Sequence, residues 1–258
     1  MKIDDQNNAL QVAQDVHQQD LPDWADLRHL LSQVRGQRGF DARRYIEAKV
    51  RLLRDYLADG WRTLSELLLL LERADRPLVK MDHVLEFASG HGRFTRHLAK
   101  AIGAERVTVS DVVADAVAFS RATFGVQGFV SHAVPEQLAW PRRYDLVFVL
   151  SLFSHLPRGS WGRWLSVLWD AVAPGGLLVF STHGIEAARR AGVTLDGEGY
   201  FFAASSESNA IDAQEYGTAF TDEHFVRARV RELGPAPAQA VVAPVWFWNH
   251  QDAWLLNK

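Results

Sequence analysis

Apolar and polar positions change period several times along the chain, and the changes divide it into elements. From about Asp41, the residues Tyr45, Ile46, Val50, Leu53, Tyr56 and Leu57 recur three and four positions apart, with Arg and Glu between them. That spacing predicts one face of a helix. Gly60 interrupts, and residues 61–71 read as a second helix, apolar enough to be mostly buried. These helices are expected to cap one end of a sheet. From residue 83 onward, short apolar runs alternate with helical patterns, the order that a parallel sheet with crossover helices requires. Strands are predicted at residues 83–87, 106–110, 128–132, 144–150 and 177–181, with helices at 93–102 and 114–124. A further helix carries Trp161, Trp164, Leu165, Leu168, Trp169 and Val172 on one face, a stripe read as core packing. Residues 221–225 read as a short helix capped by Thr221. The alternating residues 226–231 and the terminal residues 253–256 read as a closing antiparallel pair.

Between those elements lie two unusual stretches. Residues 1–26 hold six aspartates against one lysine and are read as a polar leader. Residues 185–220 are a long link between predicted strands, and links of this length serve function or stay unfolded. This one carries Tyr200, Phe201, Phe202 and Tyr216, enough aromatic surface to order as a lid rather than a loose insert. The expected division is a leader and helical cap over residues 1–78, then one α/β domain over 79–258 with the lid at about 185–220.

The chemistry concentrates in Val84-Leu-Glu-Phe-Ala-Ser-Gly-His-Gly-Arg-Phe94. A strand feeding a tight loop at a helix N-terminus is where open α/β sheets bind nucleotide-like cofactors. A third glycine of a dinucleotide fingerprint would fall at Thr95, and no Gly-Lys-Ser/Thr follows as in a phosphate loop. Asp111 ends the second strand, 19 residues past Gly92. A carboxylate there can accept hydrogen bonds from vicinal ribose hydroxyls, so it points to a nucleoside.

Glu86 followed by Ala88-x-Gly90-x-Gly92 resembles motif I of class I S-adenosylmethionine-dependent methyltransferases, with Ala88 in place of the family's first glycine. Tyr144-Asp-Leu-Val resembles the family's Phe-Asp-Leu-Val strand, and Ala173-Pro-Gly-Gly176 its Pro-Gly-Gly turn. The order and spacing of these segments agree from about residue 84 to 184. The resemblance implies a Rossmann-like α/β fold: a mostly parallel sheet, an antiparallel C-terminal strand and an N-terminal helical extension. It also implies S-adenosylmethionine as cofactor, held by Glu86, Ala88, Gly90, His91, Gly92, Asp111, Val112, His132 and Ser151. The family's acidic residue after the third strand is absent, and His132 stands there. His91 and Arg93 either meet the methionine carboxylate or cap the helix. Tyr56-Leu-Ala-Asp-Gly60, Ser151-Leu-Phe-Ser-His-Leu156 and Phe180-Ser-Thr-His-Gly184 resemble a bacterial subgroup often found beside glycan or secondary-metabolite genes. A small-molecule or glycan acceptor, methylated at oxygen, is therefore the expectation.

A hydroxyl acceptor loses a proton, so a base within hydrogen-bond reach helps. His155 and His183 follow the fourth and fifth strands, at the carboxyl edge where such sheets bind ligands. Each serves the acceptor or simply bonds a neighbouring loop. No His, Asp or Glu spacing suggests a metal, and no cysteine is present for thiolate chemistry. Net charge of −3 and a pI near 6.4 give no field favouring nucleic acid or an anionic membrane. The five-leucine run at 67–71 is too short to span a bilayer, and no secretory pattern opens the chain. A cytoplasmic enzyme is expected. Two competing classes share part of the pattern: a nucleotide-linked oxidoreductase, and a non-catalytic protein that binds the cofactor.

Overall fold

The computed structural model describes residues 42–204 and 216–258. The expected leader, and residues 205–215 of the expected lid, lie outside the described residues. The chain forms two compact units, residues 1–58 and 59–258. Helix α1 (Ala42–Arg73) runs unbroken through Gly60, where a break between two helices was expected. Gly60 is there for close approach: a Cβ on it would stand 2.0 Å from the Arg93 carbonyl oxygen. The signal was read as a breaker because packing partners are invisible in a sequence window.

In the second unit, strands β1 (Val84–Phe87), β2 (Val107–Asp111), β3 (Gln127–Val130), β4 (Tyr144–Val149) and β5 (Val172–Thr182) pair in parallel. Helices α2 (Thr95–Ile102), α3 (Ala114–Phe124) and α4 (Arg158–Ala171) make the crossovers. The Pro-Gly-Gly segment forms a register shift inside β5, between the pairs Tyr144–Val172 and Leu146–Leu177. Helix α5 (Ile185–Arg190) and the hairpin of β6 (Tyr200–Ala203) with β7 (Thr218–Thr221) follow. Helix α6 (Glu223–Arg231) precedes β8 (Gln239–Phe247) and β9 (Gln251–Asn257). The seven-stranded sheet has the order β3-β2-β1-β4-β5-β9-β8, and β9 is antiparallel to both its neighbours.

Both faces of the central strands β1 and β4 are covered, so these are buried nearly throughout rather than on alternate residues. Along β4, Val147 and Val149 face Trp161, Leu165 and Trp169 of α4 and Phe225 of α6. Leu146 and Phe148 face the other way, into a cluster with Leu64, Leu67 and Leu71 of α1 and Leu98 of α2. The tryptophan stripe is core, as its spacing predicted. The C-terminal expectation needs correction. Residues 226–231 belong to α6, capped by the Asp222 carboxylate accepting the Phe225 N–H at 2.8 Å, and Thr221 ends β7. Val226 and Val230 stand four apart as well as on an alternating pattern, and burial against α4 decides for helix. Strand β9 instead pairs antiparallel with β5 and β8.

Candidate functional site

Chain order reverses between β1 and β4, the switch point where sheets of this topology open a crevice beyond the strand ends. Two non-glycine residues with left-handed backbone stand there: Ala88 at φ 57° after β1, and Ser151 at φ 62° after β4. Such a conformation costs an L-residue roughly 1–2 kcal/mol and persists where neighbours over-determine it. At Ala88 the main chain that follows is held by one backbone carbonyl and one carboxylate. The Ser89 N–H donates to Ser110 O at 3.2 Å, and the Gly90 N–H to Asp111 Oδ2 at 2.8 Å. Gly90, at φ 53°, has nothing within 4 Å of where a Cβ would stand, so the backbone borders open space.

The predicted cofactor residues fall into one group around this loop. Asp111 is buried at the end of β2, and its Oδ1 accepts the Val113 N–H at 2.9 Å. Each carboxylate oxygen thus spends one lone pair on main chain and keeps capacity for a second donor. Glu86 is buried in β1 and accepts from Thr95 Oγ1 at 2.6 Å. Burial, with Asp111 nearby, pushes its carboxyl up to about 8 despite the threonine bond. His91 is exposed on the loop, its ring 6.1 Å from that of Phe119. Gly92 closes the loop with its N–H donating to Ser89 O at 3.3 Å. Val112, Val113, Val130 and Val134 expose apolar side chains beside the ends of β2 and β3. Exposed His132 follows Ser131, whose N–H donates to Asp111 O at 2.9 Å.

The residues expected on the acceptor side form a second group. The Ser151 N–H donates to Ser181 Oγ at 2.8 Å, and Ser151 O accepts from Ser154 Oγ at 2.9 Å. His155 and His183 lie together, their ring centroids 6.2 Å apart, and His250 is 4.9 Å from His183. His155 Nδ1 meets Gly217 O at 2.7 Å; a carbonyl only accepts, so that nitrogen carries the proton and Nε2 is the acceptor of the neutral ring. Its face stacks on Tyr216 at 4.6 Å. Burial, then His250 and His155, lower His183 to about 4.

The described parts of the 185–220 segment dock on these histidines. The Gly217 N–H donates to His155 O at 2.8 Å, the Ala219 N–H to Ser154 O at 2.7 Å, and the Thr221 N–H to His183 O at 2.9 Å. Tyr200 Oη donates to Leu156 O at 2.7 Å, and Phe220 packs against His183. Thr95, Ser181 and Gln251 also belong to the site and were not foreseen. A lone threonine, serine or glutamine carries no spacing signal. Among the described residues no group of three or more His, Cys, Asp or Glu is placed to hold a metal. No described helix is long and apolar enough to cross a membrane.

Residues 84–176 match the family model of a methyltransferase domain. Solved structures agree in fold. SibL, an S-adenosylmethionine-dependent methyltransferase, is 17% identical with a TM-score of 0.54, over 77% of this chain and 55% of its own. Magnesium protoporphyrin IX methyltransferase from Synechocystis PCC 6803, solved with S-adenosylhomocysteine, is 14% identical with a TM-score of 0.52, over 88% and 92% of the two chains. The N-methyltransferase NodS from Bradyrhizobium japonicum WM9 is 16% identical with a TM-score of 0.50, over 77% and 87%. The chain thus spans about half the length of SibL. No curated protein matches the sequence. Residues 84–176 thus match a methyltransferase domain, and the Synechocystis neighbour was solved with S-adenosylhomocysteine, the product left by the expected cofactor S-adenosylmethionine. The residues fit it: an open space beside the Gly90 backbone, a buried carboxylate with spare acceptor capacity, and exposed apolar side chains for a base.

Proposed function

We propose that this chain methylates an oxygen of a small-molecule or glycan acceptor in the cytoplasm, with His155 as the proton acceptor. When bound, the cofactor supplies an electrophilic methyl on a sulfonium. On this reading Asp111 receives the ribose hydroxyls, and Val112 and His132 flank the base. The segment Glu86 to Gly92 lines the remainder, and Ser151 floors the crevice between cofactor and acceptor. The hairpin of β6 and β7 is read as the acceptor lid, because its main chain bonds to both histidine-bearing loops. His183 lines the same side. The observation that supports oxygen chemistry is the bond from His155 Nδ1 to Gly217 O, which puts the ring proton on Nδ1 and the lone pair on Nε2. NodS acts at nitrogen by its name, so the acceptor atom is open to test rather than read from fold.

The test supplies trideuteromethyl-labelled S-adenosylmethionine to the protein with a small-molecule extract and follows the label by tandem mass spectrometry. Label on an oxygen, lost roughly a hundredfold in His155→Ala with S-adenosylhomocysteine affinity retained, is expected. Label on nitrogen at an equal rate in His155→Ala would refute the assignment. Calorimetric binding of NAD, but not of S-adenosylhomocysteine, would favour the oxidoreductase class.

A further inference from the structure

Gln251 opens β9 at 3% exposure, and no step proposed above uses it. A buried primary amide must satisfy its donors and acceptor within the protein. Its Oε1 accepts from Ser181 Oγ at 2.5 Å, and its Nε2 donates to Ser151 Oγ at 2.8 Å. Because Ser181 Oγ takes the Ser151 N–H, its own proton goes to Gln251 Oε1, and the amide orientation follows. This ring of three side chains ties together the ends of β4, β5 and β9. It also holds Ser151 in its left-handed conformation.

The same amide nitrogen lies 3.5 Å from His183 Nε2. An N–H aimed there is satisfied by a lone pair on the ring nitrogen, and the ring proton then resides on Nδ1, which is buried without a hydrogen-bond partner among the described residues. We infer that Gln251 is a positioning residue whose amide fixes His183 as the neutral Nδ1–H tautomer, withdrawing it from proton transfer and leaving that task to His155. The inference rests on the methyltransferase reading and refines it, since both histidines reach the acceptor side. The Ala219 main chain favours a charged ring, and the neighbouring imidazoles oppose it. His155 from the loop after β4 and His250 from the turn before β9 both disfavour a charged ring. Phe220 covers it from β7. The Asp252 carboxylate accepts the Val245 N–H beside Gly184, and Glu186 on α5 is engaged by Arg189 and Arg190.

Long-range proton–nitrogen correlation spectra of the uniformly ¹⁵N-labelled full chain report tautomer and titration of each histidine, with His183 assigned by its loss in His183→Asn. In wild type, His183 is expected as the Nδ1–H tautomer, neutral throughout the range in which exposed histidines titrate. Gln251→Glu places an acceptor where the donor was. It should move the proton to Nε2 and raise the apparent pKa by about one unit or more. Gln251→Leu should leave a mixture of tautomers. A wild-type His183 found as Nε2–H overturns the inference without recourse to any variant. So does identical tautomer and titration in all three proteins. Failure of the wild type to bind S-adenosylhomocysteine in calorimetry would strike the proposed function instead, and the histidine spectrum would still judge Gln251.

Discussion

Replacing Gly60 by alanine sets two effects of opposite sign against each other. Glycine in a helix interior costs about 0.8–1.0 kcal/mol relative to alanine, so propensity alone favours the variant. In the protein, the added methyl would meet the Arg93 carbonyl oxygen at 2.0 Å, the Arg93 carbonyl carbon at 2.9 Å and His97 Cδ2 at 2.8 Å. The imidazole can swing aside. The carbonyl cannot, because it belongs to the main chain between the Gly92 turn and α2. Either α1 lifts from the cluster that buries Leu64, Leu67 and Leu71, or the cofactor loop shifts beneath it. Overpacking of this kind costs typically 1–3 kcal/mol, so a net destabilisation of roughly 1–2 kcal/mol remains after the propensity gain. If the loop yields, S-adenosylhomocysteine affinity falls about tenfold, the equivalent of about 1.4 kcal/mol. Urea unfolding followed by tryptophan fluorescence, with calorimetric titration of the same samples, reads both. A Gly60→Ala protein that is more stable than wild type and binds equally well would refute the packing argument.

Asp111→Ala removes the acceptor of two main-chain N–H groups, each charge-assisted bond worth roughly 1.5–3 kcal/mol. Affinity for S-adenosylhomocysteine should fall at least tenfold, and more than affinity for its 2′,3′-dideoxy analogue. Equal losses would assign Asp111 to loop support alone. Glu86 is raised to about 8 in the fold from an ordinary 4.5, so the native state holds the extra proton. Its contribution is complete below pH 4.5 and drains as pH rises through 8, by a few kcal/mol. Glu86→Gln should flatten stability across that window, and a curve parallel to wild type would contradict the buried-carboxyl account. Ala88→Gly relieves a left-handed residue costing about 1–2 kcal/mol, against about 0.4–1 kcal/mol of added unfolded-chain entropy. A small rise in urea midpoint is expected; a fall would mean that packing of the Ala88 methyl outweighs the relief.

The parallel sheet was legible because each strand is a short apolar run between recognisable turns, and burial on both faces removes ambiguity about which side is in. Asp111, the glycine loop and the tryptophan helix follow from residue types at local spacings. The misreadings share one cause. Gly60 read as a helix break because its partner, Arg93, lies in another element, and residues 226–231 read as a strand because their contact with α4 is not local. In each, tertiary packing overrode a signal that was ambiguous within its own window.

The two halves of the candidate site differ in the same way. The bond that clamps the cofactor loop joins residues 21 apart, and a strand-turn-helix pattern predicts its partners. The acceptor side is held by contacts 30, 62 and 100 residues apart: Ser151 to Ser181, His155 to Gly217, and Gln251 to Ser151. Each rests on isolated side chains with no periodic neighbour to announce them. The last requires β9, the final strand, to be in place. Ser151 is thus tied to side chains of β5 and β9, whereas the loop after Ala88 is tied to β2. The glycine loop therefore rests on a neighbouring strand close in sequence, and the turn at Ser151 on strands farther along the chain.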